Sequence, residues 1–158
     1  RDLTGLVLTG VATPPLSAAL DAIAGADAVI AVTPIYSASY PGMFKDAFDL
    51  LPPDALAGVP VLIAATAGTA RHSLALEFAV RPLLVHLKAV VVPTGVFVAT
   101  EDFGEVAGST TADEVPLAAR VGRAARELAA LVVARPPASG AADPFALTSS
   151  FEDLLRGL

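Results

Sequence analysis

Apolar residues recur along this chain in two alternating rhythms. Three runs, Ala28–Val32, Val59–Thr66 and Ala89–Val98, are almost continuously apolar and rich in Val, Ile and Ala. Runs without polar alternation predict strands covered on both faces, as in parallel sheets. Around them the spacing turns helical. Pro15–Gly25 sets Leu16, Ala19, Leu20 and Ile23 on one face, and Pro41–Leu51 does the same with Met43, Phe44, Ala47, Phe48 and Leu51. Ser73–Lys88 carries Leu74, Phe78, Leu83, Leu84 and Leu87, and Asp113–Ala134 carries Leu117, Val121, Ala124, Leu128 and Leu131. This β-α alternation predicts an α/β domain with a parallel sheet. Ser73 suits the cap of the third helix and Asp113 that of the fourth. Pro82 falls inside the third helical pattern, where a missing amide donor predicts a kink or a local irregularity. Residues 135–150, rich in Pro, Ala, Gly and Ser, read as a linker. They lead to an amphipathic tail, 151–158, with Phe151, Leu154, Leu155 and Leu158 on one face. The domain proper is then 1–134.

Composition narrows the picture. The chain has 158 residues, is 54% hydrophobic and only 16% charged, which excludes disorder and predicts a surface partly covered by other subunits. Its apolar stretches are broken well before the roughly 20 residues of a membrane span. A net charge of −6 with no Lys/Arg cluster speaks against a nucleic-acid partner. With two His and no Cys, disulfides and thiol chemistry are excluded and a protein-bound metal is not expected. No secretory signal is visible, and the cysteine usage is compatible with the cytoplasm.

Candidate chemistry concentrates in two loops, each following a strand. The first, Thr33–Gly42, reads T-P-I-Y-S-A-S-Y-P-G. It places hydroxyls, aromatic rings and backbone amides at the carboxyl end of a strand, where open α/β sheets bind ligands. A plain strand-to-helix connection, with Ser39 capping and Pro41 at the first helical position, is the other reading. Both hold together if the capped helix start faces a ligand. The second loop, Thr66–Ser73, reads T-A-G-T-A-R-H-S. Thr66 and Thr69 supply hydroxyls and Gly68 permits close backbone approach, although the spacing is not that of a Walker motif. Arg71 suits a phosphate or a dinucleotide, or else is a solvated surface residue. His72 reads as a capping or surface residue, and His86 as structural. Asp46 and Asp49 beside Lys45 read as a solvated face, and Glu101, Asp102 and Glu105 as a small acidic loop. No Ser-His-Asp constellation with a nucleophile elbow is present.

The motif T-P-x-Y-x-A-S-Y-x-G-x-x-K at residues 33–45 resembles the flavin-contacting loop of NAD(P)H-dependent FMN reductases. The resemblance extends over roughly residues 16–158, strongest in V-P-V-L-I-A-A-T-A-G-T-A-R-H-S and the helix after it, and includes V-P-T-G-V-F-V-A-T-E-D-F and the tail F-E-D-L-L-R-G-L. It implies a flavodoxin-like three-layer α/β/α fold that binds FMN and takes electrons from NAD(P)H. Its implied flavin-binding residues are Thr33, Pro34, Ile35, Tyr36, Ser37, Ser39 and Tyr40 in the first loop and Thr66, Gly68, Thr69 and Arg71 in the second. The implied activity is hydride transfer from NAD(P)H to FMN. Reduced FMN would pass to a partner monooxygenase of the alkanesulfonate or luciferase-like kind. That transfer needs no protein acid or base at the reacting centre, consistent with the lack of a catalytic constellation. The family forms dimers or tetramers through helices flanking the flavin. In its sulfonate-reductase members a tyrosine of the long helix forms a π-helical turn at the tetramer interface. Phe78 stands at that position here, which leaves the turn open and removes the hydroxyl.

The resemblance departs at the front. The family opens with a strand, a phosphate-binding loop, a helix and a second strand. Arg1-Asp2-Leu3 resembles the end of that second strand, so we expect the first strand and phosphate loop upstream of Arg1. A quinone or azo-compound reductase and a flavodoxin-like electron carrier are alternatives on the same fold. Sparse charge, with Arg71 and Lys45 by the loops, disfavours the carrier. A flavin-free interaction domain is a third.

Overall fold

The computed structural model describes residues 2–103 and 116–135. The proposed cap Asp113, Glu105, the linker beyond Arg135 and the tail 151–158 lie outside the described residues. Among the described residues, four strands form one parallel sheet: β1 (Val29–Pro34), β2 (Pro60–Ala67), β3 (Val90–Val91) and β4 (Val96–Ala99). β2 is central. β1 pairs with it from Val29↔Val61 to Pro34↔Thr66, and β3 and β4 both line its other edge.

The run Ala89–Val98, expected as one strand, is therefore two. Val91 pairs with Val61 but Val96 with Ala64, so the register slips by two residues in between. Pro93 has no amide to give the ladder, and the chain bulges there. Glu127 holds the bulge by accepting from the Thr94 amide at 2.8 Å and the Thr94 hydroxyl at 2.7 Å. Both bonds keep the Glu127 carboxyl below its ordinary pKa.

Helices cover the two faces. On one, α2 (Pro14–Ala24), α3 (Gly42–Asp49) and α4 (Arg81–His86) set Leu20, Phe48, Leu83 and Leu84 against Ala31, Val61, Ile63 and Ala65. On the other, α5 (Leu117–Ala134) sets Ala124 and Leu128 against Leu62, Val96 and Val98. The three-layer α/β/α arrangement with a parallel sheet thus holds. The expectation that every strand is covered on both faces does not hold for β1. Among the described residues, α5 packs over β2 and β4, and Ile30 and Val32 are 63% and 58% exposed.

Three local expectations are corrected. Asp2 and Leu3 do not end a strand; they open α1 (Asp2–Thr9). Leu3, Leu6 and Val7 have helical spacing, and Gly10 ends the helix with φ +71 while donating to the Leu6 carbonyl at 2.8 Å. Ser73 does not cap a helix. Thr69 does, its hydroxyl accepting from the Arg71 amide at 3.4 Å to start the 3-10 turn Ala70–His72. Leu74 and Phe78 do not face the core; they are 64% and 77% exposed. At 100° per residue they lie opposite Leu83, and the positions on Leu83's side are Leu76 and Val80, both buried.

Pro82 has the effect its position predicts. A π-helical turn, Leu76–Val80, precedes α4, and the Arg81 amide donates to the Leu76 carbonyl five residues back. In an unbroken α-helix the Pro82 ring would collide with the Phe78 carbonyl; the wider turn displaces that carbonyl. Arg81 then fastens this turn to the β3–β4 bulge. Its guanidinium pairs with Glu77 at 2.6 Å and donates to the carbonyls of Val92 at 2.9 Å and Pro93 at 3.1 Å. The Arg81 hydrogen bond holds the Glu77 carboxyl below its usual range against partial desolvation.

Gly95 lets β4 approach this turn. A Cβ there would stand 3.2 Å from Leu76 Cδ1 and 3.4 Å from Ile63 Cγ1. Gly95→Val is expected to destabilise the fold by about 1–3 kcal/mol through overpacking. Urea unfolding would show this as a lower midpoint, and an unchanged midpoint would mean that Leu76 moves aside.

Candidate functional site

Pro34, Ala67 and Ala99, the last residues of β1, β2 and β4, lie at one edge of the sheet. Parallel pairing sends both candidate loops out from that edge. The pairing continues one residue past β1, where the Ile35 amide donates to the Thr66 carbonyl at 2.8 Å.

The first loop alternates as a strand would before it turns. Thr33 and Ile35 point inward and are buried, with the Thr33 hydroxyl donating to the Pro34 carbonyl at 3.0 Å. Pro34 and Tyr36 point outward, and Tyr36 is 65% exposed. Ser37 and Ala38 then take left-handed φ values of 50° and 65°, closed on both sides by Tyr36 and Ser39 exchanging backbone hydrogen bonds at 2.8 and 3.0 Å. This is a two-residue turn of the primed kind, which sequences ordinarily build from Asn and Gly. Left-handed backbone costs roughly 1–2 kcal/mol per non-glycine residue, and such strain gathers at functional sites. Ser39 is committed to this turn. The residue before α3 is Pro41, which offers no side-chain cap, so the expected Ser39 cap with Pro41 inside the helix is not formed. The Tyr40 ring leans on Phe44 at 5.6 Å, and Phe44 on Phe48 at 5.0 Å, which anchors the loop to the core.

In the second loop, Thr66 is half-buried beside Pro34, and Thr69 is occupied as a cap. Gly68 is exposed, and a Cβ there would meet nothing within 4 Å. Among the described residues, no acceptor takes the amides of Ser37, Ala38, Gly68 or Thr69. Four unclaimed donors therefore stand around an exposed proline and tyrosine. The Ala70 amide donates to Glu101 at 3.4 Å, tying this loop to the end of β4. Asp102 accepts from the Ala99 amide at 2.8 Å and pairs with Arg120 of α5. Glu101 and Asp102 therefore brace the backbone. Lys45 pairs with Asp49 one turn along α3, as a solvated face would.

Arg71 and His72 are exposed and, with Ala38, Leu74, Ala75 and Phe78, line a cleft of about 210 Å³. The first-loop tip and the π-turn thus share a boundary. Sequence reasoning missed Leu74 and Phe78 here by assigning them to the core. The 100° spacing against Leu83 was the signal that could have found them.

The sequence model of the NADPH-dependent FMN reductase family matches residues 5–104. The chain belongs to that family. It is 46% identical over 88 residues to an FMN reductase (NADPH) of Pseudomonas aeruginosa, covering 56% of this chain and 47% of that one. It is 42% identical over 116 residues to the NADH-dependent FMN reductase SfnF of Pseudomonas fluorescens, covering 73% of this chain and 60% of that one. The chain thus spans about half the length of the curated relatives it matches. Among solved structures it resembles an oxidoreductase from Corynebacterium diphtheriae. The TM-score is 0.75 at 49% identity, covering 85% of this chain and 71% of that chain. The FMN reductase match includes both candidate loops.

Because Gly68 has open space and no positive φ, Gly68→Val should leave thermal stability within about 0.5 kcal/mol. If the edge holds FMN, as proposed below, the same change should weaken FMN binding roughly tenfold, the effect of a steric loss of about 1.4 kcal/mol. Flavin fluorescence titration would measure this, and unaltered affinity would remove the loop from the site.

Proposed function

We propose that residues 1–134 form an NAD(P)H:FMN oxidoreductase domain. The observation that carries this reading is the set of four unclaimed amides around Pro34 and Tyr36, in a member of the FMN reductase family. The residues fit FMN. Exposed Pro34 and Tyr36 offer flat apolar surface to a ring, and the amides of Ser37, Ala38, Gly68 and Thr69 suit its polar edge. When bound, FMN supplies the hydride-accepting centre.

The protein's part is then positional. The β1–β2 register fixes the spacing of the loops, and the primed turn aims the Ser37 and Ala38 amides. Gly68 leaves room above the edge for the nicotinamide donor. No side chain has to move a proton at the reacting atoms. The edge is open, with Pro34, Tyr36, Ser37, Ala38, Gly68 and Arg71 all exposed. That suits a flavin that leaves once reduced, so we assign reduced FMN delivery to a luciferase-like flavin monooxygenase. NAD(P)H is an intracellular reductant, and on that ground we assign the reaction to the cytoplasm. Exposed Leu74, Phe78 and Val85 form an apolar stripe along the π-turn and α4, and we assign it to homodimer or homotetramer contacts.

The chain should consume NADH or NADPH in an FMN-dependent manner, followed by loss of reduced-nicotinamide absorbance. Neither FMN-dependent oxidation nor flavin binding would overturn the assignment. Phe78→Glu should lower the mass seen by sedimentation velocity, and an unchanged profile would place the subunit contact elsewhere.

A further inference from the structure

Hydride transfer changes the charge of a flavin, and one carboxylate at the strand edge bears on that change. A hydride brings one proton and two electrons, so a neutral flavin ring becomes an anion on reduction while the nicotinamide leaves as a cation. The FMN phosphate is the same in both states. A fixed charge beside the ring therefore acts unequally on the flavin that arrives and the flavin that leaves.

Glu101 supplies such a charge. It lies on the 3-10 turn Thr100–Phe103, which follows β4 at the edge from which both candidate loops leave. Its Oε1 accepts from the Ala70 amide at 3.4 Å. The two preceding amides, of Gly68 and Thr69, are unclaimed among the described residues. The carboxylate thus stands next to two of the four donors assigned to the flavin's polar edge. Glu101 is exposed and, among the described residues, has no cationic partner, whereas Asp49, Asp54, Glu77 and Asp102 each have one. Arg71, on the turn that Glu101 meets, lines the cleft with Ala38 and Phe78, and Glu101 does not line it. The turn that carries Glu101 is firmly held. Asp102 accepts from the Ala99 amide at 2.8 Å and pairs with Arg120, which also donates to the Phe97 carbonyl at 2.5 Å. Bracing Ala70 needs only an acceptor, which a neutral amide side chain also offers; the carboxylate adds a negative charge.

Resting on the reading that the strand edge binds FMN, we propose that Glu101 lowers the affinity of the site for reduced FMN relative to oxidised FMN, and so favours release of the reduced flavin to its acceptor. The repulsion falls on the anionic ring and spares the neutral one. An exposed carboxylate acts through water and salt, so the bias is modest, roughly threefold in the ratio of the two affinities.

The test measures binding of oxidised FMN and, without oxygen, of dithionite-reduced FMN to this chain, to Glu101→Gln and to Glu101→Ala. Among the described residues the Glu101 side chain bonds only the Ala70 amide, and glutamine keeps an acceptor for it, so Glu101→Gln should fold. Glu101→Gln should bind reduced FMN about threefold more tightly and oxidised FMN unchanged. The potential of the bound flavin should rise by about 15 mV, that threefold converted at roughly 30 mV per tenfold for a two-electron couple. Glu101→Ala should show the same ratio of the two affinities, whatever its lost hydrogen bond does to both. In about 1 M salt, where the screening length is about 3 Å, the wild-type ratio should approach that of Glu101→Gln. A ratio unchanged in Glu101→Gln, or changed only in Glu101→Ala, would overturn the proposal, because Glu101 would then be a brace alone. Wild type that binds FMN in neither state would refute the underlying reading. Wild type that binds both, with the same ratio in Glu101→Gln, would refute this inference alone.

Discussion

Parallel pairing of β1 with β2 is the constraint on which the site depends. Two parallel strands cannot be joined by a tight hairpin, so the chain after each must leave at the same edge and return through a helix. Six consecutive pairs, Val29↔Val61 to Pro34↔Thr66, make that alignment rigid. The Ile35 amide on the Thr66 carbonyl carries it into the loops. Burial on both faces of β2, with Val61, Ile63 and Ala65 on one and Leu62 on the other, makes any slip costly. A one-residue shift would turn Thr33 outward and Pro34 into the core. The unclaimed amides stand where they do because the ladder beneath them cannot move.

A second constraint comes from one residue outside the site. Pro82 cannot follow an α-helical Phe78, and the π-turn that accommodates it carries Leu74 and Phe78 on its open side. Arg81 binds that turn to the carbonyls of Val92 and Pro93, at the bulge created by the other proline of the region. Each proline removes a backbone donor, and a single guanidinium bridges the two irregularities. The cleft wall beside Arg71 is therefore linked to the β3–β4 edge through two hydrogen bonds and the contact of Leu76 with Gly95.

The strained turn at Ser37 and Ala38 shows where sequence signals fail. Ser-Ala does not announce two left-handed residues, as Asn-Gly would. The turn is held by the Tyr36–Ser39 exchange and by Tyr40 leaning on Phe44. Those contacts exist only after α3 has docked. The exposure of Leu74 and Phe78 is the opposite case, since it was legible from 100° spacing against Leu83.

The sequence by itself determined the α/β alternation with a parallel sheet and an irregularity at Pro82, and it put forward the two loops as candidates for the chemistry. These follow from local periodicity and from chemistry carried by single residues. Tertiary structure alone decided that Ala89–Val98 is two strands, that Thr69 rather than Ser73 caps, that α1 replaces a strand end, and that Ile30 and Val32 stay exposed. Each of these depends on which neighbour claims a backbone donor or covers a face, and that is settled only when distant segments pack together.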